Sequence, residues 1–122
     1  MKISAAESVV MEALWRREPL SAEEIAAEVG PGQGWTEGTV KTLINRLMRK
    51  KALAARPDGR RYLYRPLLDR AAWAHQESRS LIDRLYGGRI APFVSQFTEH
   101  DRLSRDEIDE LKRLIERLDR GS

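Results

Sequence analysis

Thr36-Glu37-Gly38-Thr39-Val40-Lys41-Thr42-Leu43-Ile44-Asn45-Arg46-Leu47-Met48-Arg49-Lys50-Lys51 is the stretch that decides the fold. Val40, Leu43, Ile44, Leu47 and Met48 recur at i, i+3, i+4, i+7 and i+8, the stripe of a helix with one buried face. Thr36 stands where a helix cap belongs. At about 100° per residue, the opposite side carries Gly38, Thr42, Asn45 and Arg49, with Thr39 and Arg46 beside them and Lys41 on the flank. None of these is a large hydrophobe. Amide and guanidinium groups read base edges in a major groove, Asn on adenine or Arg on guanine, and a threonine can meet the thymine methyl. Free amides at the helix start suit a phosphate. The segment therefore predicts a recognition helix.

Working outward, Ser4-Ala5-Ala6-Glu7, Ser21-Ala22-Glu23-Glu24 and Ser104-Arg105-Asp106-Glu107 each fit the S-x-x-E capping box. Leu20 with Ile25, and Leu103 with Ile108, stand at the spacing of a hydrophobic staple. A first helix is expected over 5–17, burying Ala6, Val10, Ala13 and Leu14 with Met11 and Trp15 on its flanks. A second is expected over 22–29, burying Ile25, Ala26 and Val29, followed by a Gly30-Pro31-Gly32-Gln33-Gly34 loop. Trp35 is expected to pack beneath that turn. After Ala52 the period changes. Leu53–Arg56 and Arg60–Arg65 flank Pro57-Asp58-Gly59, a turn sequence, and predict a β-hairpin. Tyr62 and Tyr64 share one strand face; at least one belongs in the core, and Tyr62, nearer the tip, is the candidate phosphate donor. Helix, helix, helix, hairpin is the order of a winged helix-turn-helix, closed here by Pro66.

Charge is distributed to match. The 122 residues carry a net charge of only +3, with 41% hydrophobic and 34% charged residues, as suits a folded soluble chain. Residues 41–65 hold nine basic groups against Asp58 alone, a local +8, whereas residues 1–40 hold three against seven acids, a local −4. Such a block is the footprint of a polyanion-binding surface. The candidate DNA contacts are Thr36, Thr39, Lys41, Thr42, Asn45, Arg46 and Arg49 on the helix, with Arg60, Arg61 and Tyr62 on the wing. The alternatives are a winged-helix protein-interaction module and a ligand-sensing winged-helix regulator.

Beyond Pro66 the chain reads as helical. Asp69 caps a helix ending near Tyr86 before Gly87-Gly88, Pro92 suits the first turn of a short helix carrying Phe93, Val94 and Phe97, and a last helix runs over 105–119. Ile108, Leu111, Ile115 and Leu118 follow the alternation of a coiled-coil seam, widened by Leu114. So few helices bury too little surface alone, and two copies packing together would offset the ordering entropy. Leu81, Leu85, Phe93, Phe97, Ile108, Leu111, Ile115 and Leu118 are the candidate homodimer contacts. The expected fold is mainly α with a small β-hairpin wing. A winged helix-turn-helix DNA-binding domain spans residues 1–66 and a helical dimerisation region spans 67–122.

The same residues argue against catalysis. His75 and His100 form no H-x-x-x-H or H-E-x-x-H pair, His100-Asp101 reads as a solvated pair at a helix end, and there is no cysteine. No nucleophile elbow, P-loop or dinucleotide fingerprint occurs. No cofactor and no metal are expected, nor any membrane insertion, and a cytoplasmic location is the simplest expectation.

The stretch Gly34–Leu47, followed by Gly59-Arg60-Arg61-Tyr62-Leu63-Tyr64, resembles the penicillinase and methicillin-resistance repressor family, the BlaI/MecI type. The similarity runs from Ala6-Glu7 through Glu77-Ser78-Arg79-Ser80 to Leu103-Ser104. The resemblance implies an amino-terminal winged helix and a carboxy-terminal dimerisation region, binding a two-fold symmetric double-stranded DNA operator and repressing β-lactam resistance genes. It implies DNA contacts at Thr36, Thr39, Lys41, Thr42, Arg46, Arg60 and Arg61. It also implies a membrane sensor peptidase as partner, with cleavage in the dimerisation region. The corresponding position is Gln96-Phe97, where Gln96 replaces the family's Asn. Copper-responsive relatives end in a cysteine-rich motif, a mode closed to this cysteine-free chain.

Overall fold

Ser4, Ser21 and Thr36 each hold an extended backbone at ψ 164–167° and turn it into a helix by accepting a hydrogen bond from the amide three residues on. At Ser4 and Ser21 the glutamate returns the bond, so both predicted capping boxes are complete. A computed structural model describes residues 1–100 and 102–121. The elements run α1 (Ala5–Arg16), β1 (Leu20–Ser21), α2 (Ala22–Gln33), α3 (Glu37–Arg49), β2 (Leu53–Asp58), β3 (Arg61–Pro66), α4 (Arg70–Tyr86), α5 (Ile90–His100) and α6 (Arg105–Gly121). A first compact unit covers Met1–Ala74 and a second begins at His75.

In the first unit α1, α2 and α3 pack on one another over a core of Val10, Met11, Leu14, Leu20, Ile25, Val40, Ile44, Leu47 and Leu53. The α3 stripe is buried as its spacing demands, with Met48 at the half-buried edge. Burial at each such position contributes about 1.5–3 kcal/mol before the cost of ordering. Met11 is fully buried rather than flanking, and Ala6 only half-buried, because the inward face of α1 is rotated toward Met11. Trp35 packs half-buried against the core, as expected.

Two local readings are corrected. Gly30-Pro31-Gly32-Gln33 does not form a loop but continues α2, which stops only at Gly34, left-handed at φ 71° with its amide on the Gly30 carbonyl. Gly30 is buried so closely that a Cβ there would meet the Trp35 carbonyl oxygen at 3.1 Å, and the Trp35 amide bonds the same Gly30 carbonyl. This tertiary seat outweighs the weak helix propensity of Gly and Pro. The hairpin turn is Gly59-Arg60, not Pro57-Asp58-Gly59, because Asp58 pairs with Arg61 and Pro57 with Tyr62. Gly59 at φ 64° takes the first central position, where a type II′ turn requires glycine. Pro57 lies on the edge strand in a pair that exchanges no ladder bonds, so its missing amide costs nothing there.

β1 is an element that periodicity did not reveal. It pairs antiparallel with β3, Leu20 opposite Tyr64, giving a sheet of order β1-β3-β2. The first unit also passes Pro66. The first turn of α4, capped by Asp69 on the Ala72 amide, is held on α1. There Trp73 meets Trp15 at 5.3 Å, the Trp15 indole donates to the Leu68 carbonyl, and Arg70 pairs with Glu12 at 2.9 Å.

Candidate nucleic-acid interface

Seating Val40, Leu43, Ile44 and Leu47 in the core obliges the rest of α3 to face outward, and Thr36, Thr39, Lys41, Thr42, Asn45, Arg46 and Arg49 are all exposed. They are not equally available. The Thr36 hydroxyl is occupied as the cap, accepting from the Thr39 amide at 3.2 Å and sharing a contact with the Thr39 hydroxyl. Thr42 donates its hydroxyl to the Gly38 carbonyl at 3.0 Å, which leaves its methyl and lone pairs as outward chemistry. Lys41 pairs with Glu37 one turn back at 3.2 Å. Among the described residues Asn45, Arg46 and Arg49 carry no side-chain hydrogen bond or ion pair. They present an amide and two guanidinium groups on one outward helix face.

The wing arginines divide in the same way. Arg60 is a central residue of the turn, exposed and without an ion pair among the described residues. Arg61 is engaged with Asp58 at 3.1 Å and Glu24 at 3.9 Å. Glu24 itself is held below its ordinary carboxylate value by the Ser21 amide and hydroxyl, with Arg61 and Arg17 adding to the effect. Tyr62 is 56% exposed near the tip, while Tyr64 is half-buried beside the core. Burial raises the Tyr64 phenol pKa; Glu23 and Tyr62 push the same way, and the Lys41 charge acts against them. Tyr64 packs against the core cluster that contains the buried stripe of α3, so the core-facing side of the wing is turned toward that helix.

One cation of the basic block is spent inside the fold. Lys50, the C-cap of α3, reaches back to Glu7 at 2.6 Å and to the Lys2 carbonyl at 3.1 Å. Burial pushes the Glu7 carboxyl up, but Lys50 and the Ser4 amide and hydroxyl outweigh it and hold the pKa below the ordinary value. A carboxylate at the start of α1 therefore anchors the far end of α3. No signal in the charge count distinguished Lys50 from its neighbours.

The second unit places the predicted dimer residues on surfaces that the chain leaves largely open. Ile82 is its one buried hydrophobe among the described residues. Leu81, Phe93 and Ile108 are half-buried, whereas Leu85, Phe97, Leu111, Ile115 and Leu118 are exposed, the last two by 63% and 74%. Phe93 meets Tyr86 and Phe97 edge-on at 5.5 and 5.0 Å. Gln96 and Phe97 lie within α5. His100 ends α5, and Asp101, the other half of the predicted polar pair, lies outside the described residues. No group of metal-ligating side chains occurs among the described residues, and no helix there is long and apolar enough to cross a membrane.

The chain is similar to the penicillinase repressor of Bacillus licheniformis, 33% identical over 94% of this chain and 90% of the relative. It is similar to the methicillin resistance regulatory protein MecI of Mammaliicoccus sciuri, 32% identical over 93% of each. The solution structure of Bacillus licheniformis BlaI as a monomer in complex with the blaP half-operator matches with a TM-score of 0.52 at 31% identity, covering 58% of this chain and 87% of that one. The family model described as penicillinase repressor matches residues 3–117, a span that takes in α3, the wing and most of α6, and the chain belongs to that family.

Proposed function

We propose that this chain is a homodimeric transcriptional repressor that binds a two-fold symmetric double-stranded DNA operator and controls resistance genes. The observation that carries the reading is the outward face of α3, where Asn45, Arg46 and Arg49 have no side-chain partner among the described residues, beside a wing whose tip is Arg60. That combination suits base reading by α3 and phosphate contact by the wing. The relative bound to its half-operator supports the assignment of DNA as the partner. The protein binds rather than catalyses, and works in the cytoplasm.

Homodimerisation rests on the second unit. Apolar side chains of α4, α5 and α6, among them Leu85, Phe97, Leu111, Ile115 and Leu118, are exposed in a single chain and offer a self-complementary seam. Two copies would present their α3 helices to half-sites about one helical turn, or a multiple, apart. Relief of repression by a membrane sensor peptidase is assigned to Gln96-Phe97, in a helix that holds no fully buried residue and so opens at low cost. Fluorescence anisotropy with genomic fragments over several salt concentrations tests the whole reading. Affinity falling steeply with salt is the expected result, and no binding at low salt overturns it.

A further inference from the structure

Arg56 and Arg65 belong to the basic block, yet the reading surface uses neither. Cross-strand partners share a face of a hairpin and successive residues alternate. Leu53, Ala55 and Pro57 therefore lie on one face with Tyr62 and Tyr64, while Ala54, Arg56 and Asp58 lie on the other with Arg61, Leu63 and Arg65. The first face is the one toward the core, since Leu53 is buried and Tyr64 packs beside it. It is also the face toward α3, because Leu53 shares one core cluster with Val40, Leu43, Ile44 and Leu47 and Tyr64 packs against it. Arg56 and Arg65 consequently occupy the outer side of the wing, turned away from α3.

Charge on that outer side is uneven. Arg61 is compensated by Asp58 and Glu24. Arg56 and Arg65 are exposed and have no hydrogen bond or ion pair among the described residues. Arg65 sits opposite Ala54 and Arg56 opposite Leu63, so the two arginines are diagonal neighbours, about 7–8 Å apart by sheet geometry. Two cations side by side suit a duplex strand, which carries a negative charge at every nucleotide step. An acidic protein surface would need carboxylates at a matched separation; a duplex supplies phosphates at every step.

We propose that the outer face of the wing, through Arg56 and Arg65, is a second DNA-backbone contact that grips duplex flanking the operator half-site. This rests on the DNA-binding reading above. It makes the wing two-sided, with its tip and core-facing side serving the operator and its outer side extending the footprint without adding sequence preference.

The test uses the full chain and the tightest duplex selected by the protein from a randomised library. That duplex is prepared trimmed to its protected half-sites and again with about fifteen flanking base pairs on each side, roughly one and a half helical turns. The salt dependence of binding is measured for both. The wild-type chain is expected to bind the extended duplex with a slope steeper by about two per protomer, 0.9 for each phosphate neutralised. The double variant R56Q/R65Q is expected to lose that difference while keeping the wild-type affinity for the trimmed duplex. Equal slopes on the two duplexes for the wild type would overturn the inference. So would a double variant weakened equally on both, which would assign the arginines to the operator contact itself. Failure of the wild type to bind either duplex would overturn the DNA reading and this inference together, whereas tight binding to the trimmed duplex with no gain from the flanks removes the inference alone.

Discussion

Lys50→Met separates the structural cations of the basic block from the DNA-facing ones. Lys50 lies 2.6 Å from a Glu7 carboxylate whose side chain is 2% exposed, while Lys50 itself remains 39% exposed. The second Glu7 oxygen is buried without a hydrogen-bond partner among the described residues, where the carboxylate depends on Lys50 and Ser4. Removing one member of a fully buried pair costs about 3–5 kcal/mol. Because Lys50 is partly solvated, screening lowers the expectation to about 2–3 kcal/mol. At about 4–8 °C per kcal/mol for a domain of this size, melting should fall by about 10–20 °C. Trp15, Trp35 and Trp73 all lie in the first unit, so tryptophan emission during urea unfolding reports that unit.

The pH dependence should weaken. In the wild type the folded Glu7 pKa lies below its ordinary 4.5, so its stabilising contribution is present above that value and is lost as pH falls through the folded pKa. Without Lys50 both of its lowering influences on Glu7 are lost, and the carboxyl pKa moves up from its wild-type position, with burial and the Ser4 bonds left to oppose one another. The variant should then lose less stability than the wild type as pH falls through the carboxylate range, because less of the Glu7 depression remains to be lost. A cost under about 0.5 kcal/mol, or a variant that loses stability on acidification in step with the wild type, would refute the reasoning.

Arg46→Ala should cost about 1–3 kcal/mol of operator affinity and relax preference at one base position, read by competition with single-substituted duplexes. Arg60→Ala should lower the salt slope by about 0.9 per protomer; Arg61→Ala, already engaged with Asp58 and Glu24, should lower it by less. Gly59→Ala meets no atom within 4 Å but keeps a φ of 64°, so thermal melting should register a conformational cost of about 1 kcal/mol. A chain truncated after Gln96 loses α6 and the last four of the eleven residues of α5; sedimentation should find it monomeric, and a persistent tight dimer would contradict the assigned seam.

Most of the fold was legible because its signals are local. The α3 stripe, the serine caps and the period change after Ala52 each name an element within a few residues. What the sequence hid depends on contacts distant along the chain. Gly30 and Pro31 read as a loop until the Trp35 carbonyl is placed against the bare Gly30 Cα. Leu20–Ser21 is too short for any periodicity, and only pairing with β3 makes it a strand. The turn slipped to Gly59-Arg60 because strand register, not turn composition, decides which residues oppose each other. At the candidate site, residue type located the surface, but coordinates alone sorted Arg46, Arg49 and Arg60 from Lys41, Lys50 and Arg61, whose carboxylate partners are supplied partly from α1 and α2.

Chemical-shift mapping on titration with the selected operator duplex addresses the DNA surface residue by residue. Backbone signals over 36–49 and 59–62, and the side chains of Asn45, Arg46, Arg49 and Arg60, are expected to move together and to saturate at one duplex per dimer. Perturbations confined to α1, α2 or the second unit, with α3 and the wing tip unmoved, would contradict the account.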